Sequence, residues 1–158
     1  MKRSSVKESM SKKIVTVRWD QRMEEAADLM EEHRIRHLPV SDDLGVIVGI
    51  ISDRDVSRAR SPNKPGFDAN AKVSDSMSWP VITVSQNLPL REAAQGMVDE
   101  KISAFLVTDD AQAIVGIVTS EDMLRALVSL LSAPSRFAKA SYSPVVGELL
   151  REAQAAGL

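Results

Sequence analysis

Two short stretches carry residue types that suit ligand binding: Ser52-Asp53-Arg54-Asp55 and Thr119-Ser120-Glu121-Asp122. Each places a hydroxyl three positions before an aspartate, and each follows a glycine, Gly49 or Gly116, in an apolar run. A hydroxyl and a carboxylate at that spacing meet across the first turn of a helix, where they form a capping box. The same groups serve a polar ligand, because a carboxylate accepts from ligand hydroxyls while a hydroxyl and the first helical amides favour an anion. Capping alone accounts for one such stretch. Around the first stand Arg36, His37 and Arg54; the second has Ser103, Ala104 and Glu121 in their places. Charge-assisted donors suit an anion; the cations of the first set can supply them, and the second set, poor in cations, cannot. Adjacent strand residues face opposite ways, which leaves open whether Arg36 and His37 both reach one phosphate.

Catalysis has no comparable residues. The chain has no cysteine, no Gly-x-Ser-x-Gly, no Walker loop and no metal triad, so no catalytic residue and no metal ligand is assigned. His33 and His37 have the spacing of a zinc pair on a helix, but their counterparts Glu100 and Ala104 put one at a helix end and the other in a strand.

The two stretches belong to a duplication. Val6–Asp55 lies over Val73–Asp122 at a constant shift of 67, without a gap, and 19 of 50 positions are identical. Within each copy Ile14-Val15-Thr16-Val17 and its twin are β-branched and extended. Met23, Ala26, Ala27 and Met30 then fall on one helical face, as do Leu90, Ala93, Ala94 and Met97, with Asp20 and Asn87 as expected caps. Residues 35–40 and 46–51 read as strands joined by a turn at Asp42-Asp43-Leu44-Gly45, and a second helix starts near Ser52 or Asp53. Their near-continuous apolar character implies that both sheet faces are covered. Met10, Met23 and Met30 read as core packing. Trp79 stands before Pro80 and reads as packing, with stacking on a base as the alternative.

The divisions expected are a first domain at 1–60, a Pro- and Gly-rich linker at 61–72, a second domain at 73–131 and an extension at 132–158 with a helix over 144–156. At 158 residues, 44% hydrophobic and 27% charged, the chain is long enough to bury a core. A net charge of -2 without a basic stripe gives no reason to expect nucleic acid as a partner. Its longest apolar runs are too short to span a membrane, and no secretory signal is visible. The lack of cysteine fits a reducing cytoplasm.

The order of Val-Ile-Thr-Val, Glu-Ala-Ala-x-x-Met, Leu-Pro-Val-x-Asp-Asp and Gly-Ile-Ile-Ser-Asp-Arg-Asp, occurring twice in register, resembles the cystathionine beta-synthase (CBS) domain. A tandem pair of these is called a Bateman module. The resemblance covers roughly residues 6–60 and 73–130. It implies a mixed α/β architecture: two β-α-β-β-α domains packed as a pseudo-two-fold pair, here followed by the C-terminal helix. It further implies two related clefts for adenosine-containing ligands: AMP, ADP, ATP or S-adenosylmethionine. In the family the strand entries, here Thr16 or Ile82 and Thr83, and the starts of the next strands, Ile35 or Ile102, line the base. Ser52 and Asp55, or Thr119 and Asp122, would meet ribose and phosphate. In the family basic residues at the place of Arg36 and His37 reach phosphate, so the resemblance implies a first cleft that takes polyphosphate with Arg36, His37 and Arg54, and a second that is weaker, empty or suited to a less charged ligand. The implied role is a stand-alone, non-catalytic sensor that needs no cofactor, forms a homodimer and offers its C-terminal helix to a protein partner. A ligand-free scaffold of the same fold is the alternative.

Overall fold

A computed structural model describes residues 4–63, 67–68 and 70–131. The chain divides into two compact units, Met1–Leu127 and Val128–Leu158. Both copies of the repeat lie in the first. The helix expected at 144–156 lies outside the described residues.

Each copy builds a three-stranded mixed sheet with helices against it. After a short helix α1 (Val6–Ser9), the first copy runs β1 (Val17–Arg18), α2 (Met23–His33), β2 (His37–Ser41), β3 (Ile47–Ser52) and α3 (Asp53–Ala59). A 3-10 turn at Val73–Asp75 opens the second, which continues with β4 (Thr83–Ser85), α4 (Leu90–Asp99), β5 (Ala104–Thr108), β6 (Ile114–Thr119) and α5 (Ser120–Leu130). Pairing is parallel for β1 with β2 and for β4 with β5, and antiparallel for β2 with β3 and for β5 with β6. Registers repeat at the shift of 67: Val17 faces Val40 as Val84 faces Val107, and a bulge follows Val40 as one follows Val107.

The apolar faces read from sequence are buried as expected: Met23, Ala26 and Met30 of α2, and Leu90, Ala93 and Met97 of α4. Their starts differ from expectation. Asp20 accepts two hydrogen bonds from the Arg18 guanidinium instead of capping, and α2 begins after Arg22, whose amide donates to Glu25. Asn87 donates to Asp110, and Pro89 precedes α4. For Asp20 a neighbouring cation takes the carboxylate that would have capped. The extended run at 14–17 also enters the sheet later than its composition suggests, with only Val17 and Arg18 paired.

The cores are built by exchange. Val6 is fully buried among Leu90, Ala93, Phe105 and Val107 of the second copy, with Met10 packed beside it. Val73 is fully buried among Val17, Met23, Leu38 and Ile51 of the first, with Met77 beside it. Backbone bonds fix both crossings. Ser11 bridges Ile117 on the edge strand of the second sheet, and its equivalent Ser78 bridges Ile50 on the edge strand of the first. The bridge passes directly over a glycine in each copy. A methyl group on Gly49 would meet Met77 Sδ at 2.7 Å and the Ser78 carbonyl at 3.2 Å. On Gly116 it would meet Met10 Sδ and the Ser11 carbonyl, both at 2.8 Å. The close approach that these two glycines permit is thus taken by the exchanged segment.

Candidate ligand cleft between the two copies

The last strand of each sheet ends in the hydroxyl residue of the motif, so the box closes where strand becomes helix. At β3–α3 the Ser52 hydroxyl and amide both donate to Asp55 Oδ2, at 2.6 and 3.0 Å, and the Asp55 amide returns a bond to Ser52 Oγ at 3.3 Å. At β6–α5 the Thr119 hydroxyl and amide donate to Asp122 Oδ2 at 2.9 and 2.7 Å, and the Asp122 amide donates to Thr119 Oγ1 at 3.4 Å. The next amides are also taken, Asp53 N by the Arg36 carbonyl and Ser120 N by the Ser103 carbonyl, each at 2.9 Å. The capping reading of the motif is therefore realised in both copies. Most of the amide groups expected to greet an anion already have acceptors, so any anion selectivity must come from side chains.

Those side chains open onto a cleft of about 540 Å³ that draws on both copies. The first copy contributes Arg36, His37, Ser52, Asp53, Arg54, Asp55 and Arg58. The second contributes an apolar stretch, Pro80, Val81 and Ile82 with Met97, Val98 and Leu106, together with Lys101, Ile102, Ser103 and Ala104. The first copy thus supplies most of the charged lining, beside Ile50, and the second most of the apolar lining, beside Ser78 and Ser120, a mixture that a ligand with a flat base and a polar tail requires. The volume lies within the usual range for small-molecule sites, about 300–1,000 Å³.

Of the residues named from sequence, the structure brings Arg36, His37, Ser52, Arg54, Asp55, Ile82, Ile102, Ser103 and Ala104 together around this space. Arg36, His37 and Arg54, read as one cleft, and Ser103 and Ala104, read as the other, stand on walls of the same one. Thr16, Ile35, Thr83, Thr119 and Asp122 are not among its lining residues. Ile35 packs against the first core, and Thr119 and Asp122 form the second box. Trp79 is 72% exposed and is not part of the lining. Sequence reading missed Arg58 and Lys101. Arg58 had a signal, since it lies one helical turn beyond Arg54. Lys101 had none, because its place depends on the left-handed backbone at the end of α4, with φ of 54°.

The copies touch inside the cleft. His37 Nε2 and Ser103 Oγ are 2.8 Å apart, joining the start of β2 to the residue before β5. Burial pushes the His37 imidazole below its ordinary pKa, opposed by the Asp53 and Asp55 carboxylates and assisted by the Arg36 and Arg54 charges. His37 is thus a neutral ring at neutral pH, and its Nε2 contact is an ordinary hydrogen bond. No cluster of His, Asp or Glu able to hold a metal occurs among the described residues, and none of their helices is long and apolar enough to cross a membrane.

Comparison with known proteins agrees with this geometry. The family model for the CBS domain matches twice, at residues 5–62 and 73–129. The chain is 32% identical over 142 residues to the CBS domain-containing protein YhcV of Bacillus subtilis, covering 90% of this chain and 99% of that one. It is 37% identical over 120 residues to L-aspartate semialdehyde sulfurtransferase of Methanocaldococcus jannaschii, but those residues are 76% of this chain and only 22% of the enzyme. Among solved structures, the CBS domain pair of protein MJ0100, in complex with 5′-methylthioadenosine and S-adenosyl-L-methionine, superposes with a TM-score of 0.70 at 34% identity. That match covers 80% of this chain and 98% of the pair. With two family matches in tandem and the two-sheet architecture of a solved pair, the chain belongs to the CBS domain family.

Proposed function

We propose that this CBS pair is a non-catalytic sensor that binds an adenosine-containing ligand, of the class AMP, ADP, ATP or S-adenosylmethionine, in the cleft between its copies. The observation that carries the reading is the composition of the cleft. Charged residues between Ser52 and Arg58 and apolar residues at Pro80–Ile82 and Ile102 line one space of suitable volume. The complex of the MJ0100 pair supports the adenosyl class. Asp55 is set to accept from ribose hydroxyls, since both of its internal bonds fall on Oδ2. A ligand touching both copies would alter how the copies pack wherever it binds two arrangements unequally. The His37–Ser103 contact is the place where that coupling would act first.

The proposal extends to the setting. The module works as a cytoplasmic homodimer paired through its helices, a reading supported by exposed Val98 on α4 and by exposed Leu124 and Leu127 on α5. A protein partner reads its state. Titration calorimetry with AMP, ADP, ATP and S-adenosylmethionine, on the wild type and on Asp55→Ala, tests the core of the reading. We expect heat from at least one ligand and a loss of about tenfold or more in affinity in the variant. No heat from any of them would leave the fold as a ligand-free interaction scaffold.

A further inference from the structure

The turns that join the last two strands of each sheet are built alike and dressed differently. In the first copy the Asp42 amide donates to the Val46 carbonyl, the Gly45 amide to the Asp42 carbonyl, and the Leu44 and Val46 amides to Asp42 Oδ1. In the second, Asp109, Gln112, Ala111 and Ala113 make the same bonds. What projects from the two turns differs. Leu44 is 88% exposed and Val46 56%, and the second copy has Ala111 and Ala113 in their places. Trp19, 37% exposed, meets the first turn through Nε1, 3.4 Å from Asp43 Oδ1, where the second copy has Gln86. Because the turn closes equally well on alanines, the fold does not require these apolar side chains. Exposed apolar groups gathered at one place without a role in the fold mark a contact surface.

The charges around this patch select what can cover it. Asp20, Asp42 and Asp43 stand about it. Arg18 Nη2 is bonded to Asp20 at 2.9 Å and to Asp43 at 2.8 Å, so two carboxylates share one guanidinium. Asp42 accepts from amides of the turn, which leave its charge in place. Lys72 acts on Asp20 from outside ion-pair distance. Pairing two such tips symmetrically would set the same carboxylates against each other, a costly arrangement. A segment with lysine or arginine around an apolar side chain meets both the patch and its acidic surround.

We propose that the first hairpin tip, Trp19 with Leu44 and Val46, docks a protein partner through a segment that carries an apolar side chain flanked by lysine or arginine. This locates the protein partner invoked above and rests on that part of the reading alone. A partner here leaves the cleft open. His37 and Ser52, which line the cleft, are paired at the other end of the same two strands, about 15 Å away at the rise of a strand. The hairpin thus runs from partner to cleft as one continuous element, and the second tip, with its alanines, takes no part.

Amide shifts in nuclear magnetic resonance spectra of the full chain, titrated at low salt with the peptide Lys-Lys-Leu-Phe-Lys-Lys, test this. Two control peptides replace its lysines by glutamate or its apolar pair by serine. We expect saturable shifts at residues 18–20 and 42–46 and none at the matching 109–113, with affinity at least about tenfold above either control. Leu44→Ala combined with Val46→Ala gives the first tip the side chains of the second, so the melting temperature should hold while the shifts vanish. Equal shifts at both tips, equal affinity for a control, or binding unchanged in the variant would overturn the proposal. So would a dimer in sedimentation that the variant abolishes, which would assign the patch to a second copy. Every outcome is read without a ligand in the cleft, so the adenosyl reading stands or falls separately, by its own calorimetry.

Discussion

The starts of α3 and α5 are the same device with different side chains around it. Their capping boxes agree bond for bond, with each hydroxyl and amide on the same aspartate oxygen. The intervening residues do not agree: Asp53 and Arg54 stand where α5 has Ser120 and Glu121. What the copies share is thereby accounted for by the fold, because a closed box satisfies its own donors. What they do not share is left to chemistry. Where α5 pairs Arg125 with Glu121, α3 sets Arg54 and Arg58 on the cleft, and among the described residues neither of these makes an ion pair.

If the copies are structurally equivalent, substitutions that cut the exchanged core contacts should cost the same in each. Val6→Ala and Val73→Ala both empty a fully buried site. Each should lower unfolding free energy by about 2–3 kcal/mol in denaturant titration. A cost confined to one of them would show that the exchange supports only one core. The glycines under the crossings should separate the copies instead. An added methyl at Gly116 strikes the Ser11 carbonyl at 2.8 Å, whereas at Gly49 the nearest atom is the flexible end of Met77, and the Ser78 carbonyl is 3.2 Å away. Gly116→Ala should therefore cost about 1–3 kcal/mol, and Gly49→Ala measurably less. Equal costs in the same titration would mean that backbone and side chain yield alike.

Periodicity located the helices and strands, because the apolar faces of α2 and α4 are buried by the sheets they were expected to cover. The duplication implied two pseudo-symmetric halves, and the resemblance to the CBS domain implied one sheet in each. The exchange of Val6 and Val73 between cores was not legible. A shift of 67 is the same whether each opening segment packs on its own copy or on the other, so the pattern is silent on which. The site shows the same division. Ser52, Asp55, Arg36 and Arg54 stood out by residue type. That Ser103 and Ala104 share their cleft depends on how the copies pack, and a chain read copy by copy assigns them elsewhere. The caps failed for a more local reason: Asp20 had Arg18 two residues away, and a short ion pair outcompeted the helix amides.

The smallest expected effect also separates the copies, through a titrating group that only one possesses. His37 stands where the second copy has Ala104, and its contact to Ser103 crosses between them. Burial holds the folded imidazole below its ordinary value of 6.5, with Arg36 and Arg54 pressing the same way and Asp53 and Asp55 opposing. The unfolded chain thus takes up the proton first as pH falls. Stability is full above the unfolded value and declines as pH drops below 6.5 toward the lowered folded one. His37→Gln keeps a polar side chain beside Ser103 but cannot titrate, so its stability should fall less over that window. Chemical denaturation of both proteins at a series of pH values, before the carboxylates begin to protonate, measures the difference. Parallel profiles would mean that the His37 proton is indifferent to folding, and that the contact between the copies does not depend on a neutral ring.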